Sequence, residues 1–205
     1  MKKLLLIAVL IAACLSATAY VACVAAPLLG KNIKGSGKIV AKTVPAPDFD
    51  GIEASRAVKV VISDKVSDIR IEADDNLIDL VVVRAVKGKL EATLDQKVNN
   101  IQNANVTITV PANGKIRSLD ASSASKIALA GLAEDFTADL SSASKLDAEK
   151  FTAVNASVST SSAAKADIDC SGKLTASASS GSSIGYTGGC RTSLSKSSGG
   201  SVRKN

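Results

Sequence analysis

Leu119-Asp120-Ala121-Ser122-Ser123-Ala124-Ser125-Lys126-Ile127 recurs as Ala138-Asp139-Leu140-Ser141-Ser142-Ala143-Ser144-Lys145-Leu146. Ser161-Ser162-Ala163-Ala164-Lys165-Ala166 repeats it again in shortened form. Ser179-Ser180-Gly181-Ser182-Ser183-Ile184 and Ser197-Ser198-Gly199-Gly200-Ser201-Val202 follow. The apolar landmark falls at Ile127, Leu146, Ala166, Ile184 and Val202, in steps of 19, 20, 18 and 18 residues. A fixed period of this kind marks an array in which each repeat buries its apolar face only by stacking on the next. The common helical repeats need roughly 33 residues or more, so this one is too short for them. It suits a β-solenoid with coils of about 18–20 residues.

The residues between the corners agree. Lys126-Ile127-Ala128-Leu129, Lys145-Leu146-Asp147-Ala148 and Lys165-Ala166-Asp167-Ile168 alternate with period two, as a strand with one buried face does. Ser, Ala and Gly suit corners between coils stacked about 4.8 Å apart. Gly181, Gly199 and Gly200 can take positive φ there. A disordered Ser/Ala tail has no reason to keep apolar landmarks in register. The drifting step, with no six-residue subrepeat, argues against a left-handed hexapeptide helix.

Upstream of the repeats the chain reads as short strands. Ile39–Val44 ends at Pro45-Ala46-Pro47. Gly51–Ala54, Ala57–Ile62 and Ile69–Ala73 follow, and Asp74-Asp75-Asn76 is a turn cluster. Leu77–Arg84 fits a strand or a short helix. Strands return at Lys89–Leu94, Val106–Val110 and Ile116–Leu119, the last two separated by Pro111-Ala112-Asn113-Gly114. No long helical pattern occurs, so the expected class is all-β.

Residues 1–30 read as an export signal or a membrane or lipid anchor, and 31–205 as the folded domain. Lys2 and Lys3 precede an uncharged run from Leu4 to Gly30. Three fates are open. Ile11-Ala12-Ala13-Cys14 looks like a lipobox, which makes Cys14 the lipidation candidate. Tyr20-Val21-Ala22-Cys23 is a poorer match. Ala17-Thr18-Ala19 suits ordinary signal cleavage. The uncleaved run of 27 residues is also long enough to span a bilayer. Each fate places the domain outside the cytoplasm, in the periplasm or at the outer membrane or cell surface.

Composition excludes several functions. The formal charge of +6 falls to +4 without Lys2 and Lys3, and the basic residues are dispersed. With two Tyr, three Phe and no Trp, neither nucleic-acid stacking nor a sugar-stacking platform is supported. No His is present, which removes Ser-His and Cys-His nucleophile systems and His-based zinc sites. No cofactor is expected.

The order of pieces resembles a known family. Val44 with Phe49 and Ile52, then Val58-Lys59-Val60, Asp75-Asn76-Leu77 and Val106-Thr107-Ile108-Thr109-Val110-Pro111 precede the Ser/Gly corners. The chain closes on Ser198-Gly199-Gly200-Ser201-Val202. This is similar to the head GIN domain of putative auto-transporter adhesins, envelope proteins of Gram-negative bacteria, over about Gly35 to Asn205. The corners depart from the family's usual Ser-Gly-Ser-Gly, being mostly Ser-Ser-Ala-Ser. The resemblance implies a right-handed single-stranded β-helix and an adhesin-like role. It supplies no catalytic residues.

Three constellations follow from the alternation. Lys126, Lys145 and Lys165 form an outward column. Asp147 stacks on Asp167, and Glu149 is expected on Asp169. That patch reads as a solvated face, since exposed pairs contribute only about 0–1 kcal/mol. A hard-cation site there is the sharper alternative, and no metal is assigned. A polysaccharide-cleaving carboxylate pair would need a buried acid of raised pKa, which nothing indicates. Cys170 and Cys190 are the two thiols left in the domain. An oxidising compartment favours a bridge between them, but their positions relative to the following corners differ by two residues, so two free thiols remain open.

The expected function is a non-catalytic envelope module that binds or adheres. The alternatives are a structural envelope protein without a specific ligand and a carbohydrate-active β-helix enzyme. The partner is an envelope, glycan or protein ligand, with the membrane reached through the N-terminal segment and no nucleic acid.

Overall fold

The computed structural model describes residues 31–205. Residues 1–30, on which the export or anchor reading rests, lie outside them, Cys14 and Cys23 included. By internal contacts the described chain falls into two units. The small one holds residues 31–33 and Gln96–Ile101; the large one holds Lys34–Asp95 and Gln102–Asn205. Strand β1 (Lys31–Lys34) pairs with β8 (Val98–Gln102).

The other fourteen strands make a single curled sheet. Its upstream strands are β2 (Ile39–Val44), β3 (Gly51–Ala54), β4 (Lys59–Ser63), β5 (Ile69–Asp74), β6 (Val81–Val86), β7 (Lys89–Leu94) and β9 (Val106–Pro111). Downstream come β10 (Ser118–Ala121), β11 (Lys126–Leu140), β12 (Lys145–Thr160), β13 (Lys165–Ala178), β14 (Ser183–Thr187), β15 (Arg191–Lys196) and β16 (Ser201–Lys204). The expected Leu77–Arg84 segment resolves into a 3-10 turn at Ile78–Leu80 followed by β6. The chain is all-β.

Two ladders of parallel pairing carry the repeat. In one, β9, β4, β11, β12, β13, β14 and β16 follow in order. Its inward column runs Ile108, Val60, Ile127, Leu146, Ala166, Ile184, Val202, each no more than 5% exposed. The five landmarks expected to stack do so, and Val60 and Ile108 extend them. In the other ladder, β7, β3, β10 and the second halves of β11, β12 and β13 pair, with β15 last. Leu90, Ile52, Leu119, Ala138, Val158 and Ala176 are buried along it. Burial of each Leu, Ile or Val stabilises by about 1.5–3 kcal/mol. Phe136 and Phe151 meet in the interior, ring centroids 4.8 Å apart and tilted by 58°.

The serine corners are tight turns in which both central residues have positive φ. The pairs are Arg56-Ala57, Ser123-Ala124, Ser142-Ala143, Ser162-Ala163, Ser180-Gly181 and Ser198-Gly199. Two consecutive positive φ values define a type I′ turn, which normally draws Asn and Gly. Stacking holds the non-glycine residues in place. Each repeat corner closes on itself, as Ser144 N to Ser141 O at 3.1 Å, and also bonds the next corner, as Ala143 N to Ser162 O at 2.9 Å. Inside the bend, Ser125 Oγ donates to Ala54 O and Ser144 Oγ to Ala121 O, both at 3.0 Å. Gly200, unlike Gly181 and Gly199, has no positive φ; a Cβ there would sit 2.0 Å from Ala178 O.

A left-handed alanine carries steric strain that glycine lacks. Ala143 has φ 60°, and Gly181 and Gly199 already occupy the same turn position. Ala143→Gly should therefore raise stability by about 0.5–1 kcal/mol, seen as a thermal midpoint higher by roughly 2–4 °C. A lower midpoint would mean that the turn is not strained.

Elsewhere, fully buried Asp74 ties down the start of the large unit. Its carboxylate accepts the Gly37 and Asn105 backbone N–H groups, each at 2.7 Å.

Candidate functional site

The exposed side of the first ladder carries a lysine column. Lys59, Lys126, Lys145 and Lys165 are in register on neighbouring strands and all four are exposed. The column continues through Ser183 to Ser201. The sequence shows three of these lysines. Lys59 joins because Glu53–Val60 folds as one more corner, with the Glu53-to-Lys59 spacing equal to that from Asp120 to Lys126. Among the described residues, none of the four lysines has a carboxylate within ion-pair distance.

On the other side of the corners lies an acidic column that the repeat reading missed. Glu91, Glu53, Asp120 and Asp139 stack in register, and Ser159, Ser177 and Ser195 continue the line. With Ser122, Ser141, Ser161 and Ser179, part of it borders an open groove of about 370 Å³. Two cations offset the acids. Arg84 pairs with Glu91 at 2.6 Å, and Lys89 donates to Asp120. The hydrogen bond to Asp120 holds the Lys89 ammonium above its usual pKa; partial burial opposes this, and the Asp120, Glu53 and Asp139 charges add to it.

The carboxylate patch forms only in part. Asp147 stacks on Asp167, but Glu149 does not stack on Asp169. Between Ala148 and Thr152, β12 carries Glu149, Lys150 and Phe151 as extra residues relative to β13, so Asp169 lies opposite Thr152. Thr152 Oγ1 and Thr187 Oγ1 donate to the Asp169 carboxylate at 2.7 and 2.9 Å. Among the described residues, no group of three or more His, Cys, Asp or Glu side chains is placed to hold a metal ion.

Cys170 is fully buried and Cys190 half-buried, and both are thiols. The pairings Asp169–Thr187 and Lys173–Arg191 put Gly188 across from Cys170 and Cys190 across from Gly172, the two-residue offset the sequence shows. Cys170 Sγ lies 3.3 Å from Lys173 O and 3.4 Å from Val154 O. Burial, with the neighbouring Cys190 second, pushes the Cys170 thiol up to about 11. The neutral thiol is the form that the fold favours. The unfolded chain loses this proton near pH 9 and the folded chain near 11. Stability from this group is therefore complete below pH 9 and declines between pH 9 and 11. In reduced protein, Cys170→Ala should flatten the fall of the unfolding midpoint over that window, and iodoacetamide at pH 8 should label Cys190 well ahead of Cys170. Equal labelling rates would contradict the burial.

A sequence profile of the family described as "putative auto-transporter adhesin, head GIN domain" matches residues 48–124 and again 112–190. The chain belongs to this family. Solved structures similar to this GIN-domain protein include a putative adhesin from Bacteroides fragilis, 19% identical over 85% of this chain and 100% of that one, TM-score 0.47. Another is a putative adhesin from Parabacteroides merdae, 14% identical over 86% of this chain and 100% of that one, TM-score 0.40. A putative lipid binding protein from Parabacteroides distasonis is 16% identical over 85% of this chain and 100% of that one, TM-score 0.36. No curated protein matches.

Proposed function

We propose that residues 31–205 form a non-catalytic binding module of the cell envelope, exported by residues 1–30 and built as a right-handed β-solenoid. The observation that carries this reading is the pair of charged columns on either side of the same row of corners, one basic and exposed, one acidic and partly half-buried. Rows of like groups at strand spacing suit recognition of an extended partner. The adhesin family fits such a role.

A glycan array probed with the full-length protein tests the reading; binding to a defined subset of extended glycans is expected. Uniform absence of binding would favour a purely structural envelope protein. Turnover of an acidic polysaccharide that disappears in Asp147→Asn/Asp167→Asn would instead make it an enzyme. Export is tested by fractionation of cells producing the wild type and Cys14→Ala; a wild-type chain retained in the cytoplasm would refute it. In the oxidising compartment we further propose a Cys170–Cys190 disulfide. Alkylation without reductant, read by mass spectrometry on envelope-derived protein, would refute it if both cysteines were labelled.

A further inference from the structure

We propose that the lysine column Lys59, Lys126, Lys145 and Lys165 is the docking strip for a linear acidic polysaccharide, laid along the stack so that its carboxylates meet successive ammonium groups. The proposal rests on the binding-module reading and names the partner class for one of its faces. Neighbouring strands place the ammonium groups at intervals of about 4.8 Å near their roots. Like charges directly opposite each other on paired strands are destabilising. Here four stand in a row, with no ion pair among the described residues to offset them. Asp147 and Asp167 lie nearby without pairing to the column, and a polyanion supplies direct countercharge along it.

The surroundings narrow the choice. The column runs on into Ser183 and Ser201, whose hydroxyls suit sugar hydroxyls. Two residues along each strand, Asp147 and Asp167 flank Lys145 and Lys165. The positive surface is therefore a narrow strip, matched to one chain and hostile to a broad anionic sheet. A lipid surface would also call for large apolar side chains beside the cations, and the column has none. Nucleic acid would need several stacking aromatics along the strip; Phe49, Phe136 and Phe151 are buried, and among the described residues Tyr186 alone is half-exposed.

The test uses the full-length protein and polygalacturonate, with dextran as the neutral polymer and phosphatidylglycerol vesicles as the lipid arm. Binding is measured by calorimetry across a salt series. Each lysine neutralised contributes about 0.7 to the slope of log affinity against log salt for a single-stranded polyanion. Lys126→Gln/Lys145→Gln/Lys165→Gln should lower that slope by about 2 and the low-salt affinity by at least about tenfold. Its thermal midpoint should be unchanged or higher, because repulsion is relieved. Lys87→Gln/Lys150→Gln/Lys196→Gln, which removes three exposed lysines off the column, should bind within about twofold of wild type. Absence of low-salt binding to polygalacturonate, equal losses in both triple variants, or equal binding to dextran would each overturn the proposal. Binding to the vesicles in place of polygalacturonate would reassign the strip to a lipid and also overturn it. If the column variant keeps the glycan-array hits, the module reading stands and only this strip falls.

Discussion

Leu146→Asp should leave the protein without a cooperative thermal transition. Leu146 is fully buried between Ile127 and Ala166. An unpaired carboxylate in a stacked apolar column costs several kcal/mol even after it takes up a proton. That is comparable with the roughly 5–15 kcal/mol of a whole domain. No shift of register rescues it, because sliding a strand by one residue turns every core side chain outward. Leu146→Ala should be milder, costing about 2–5 kcal/mol and preserving the transition. Circular dichroism melts of the two variants beside exposed Lys145→Asp make the comparison. A soluble, cooperatively folding Leu146→Asp would show that the column does not bear the load.

Phe151→Ala ranks next. Phe136 and Phe151 are each 2% exposed and touch only in the folded chain's interior. Removing either ring should cost about 3–5 kcal/mol through lost transfer energy and the cavity left behind. The tilted contact adds about 0.5–1.5 kcal/mol. The double variant should therefore lose less than the sum of the singles by about that amount, read from denaturant midpoints. Strict additivity would mean that the rings pack independently.

Much of this was legible in the repeat. The corner motif set the spacing of Ile127, Leu146, Ala166, Ile184 and Val202, and alternation placed Lys126, Lys145 and Lys165 outside. Two features were not. Glu53 and Glu91 come from the irregular half of the chain, so the acidic column stays hidden until β7, β3 and β10 are seen to pair. A signal did exist in Glu53-Ala54-Ser55-Arg56-Ala57-Val58-Lys59, which has the same length from acid to lysine as the recognised corners. The Glu149–Asp169 pairing failed because alternation counts residues evenly, whereas β12 inserts three before rejoining β13. One of the three, Phe151, is buried against Phe136.

Because every rung of the lysine column comes from a separate strand in the same register, the chain works as a ruler. Rungs contact chiefly their neighbours, so adding or deleting one unit of about 19 residues lengthens or shortens the array by one strand spacing, about 4.8 Å. Where the unit carries the column lysine, as at Lys126, Lys145 and Lys165, such a change adds or removes one charge; the units of Ser183 and Ser201 change length alone. For a polymer that meets several rungs at once, successive contacts form at high effective concentration, so affinity changes multiplicatively with rung number. For the proposed polymer, valency would be written into chain length and could drift by duplication of a single lysine-bearing corner without any new binding residue having to evolve.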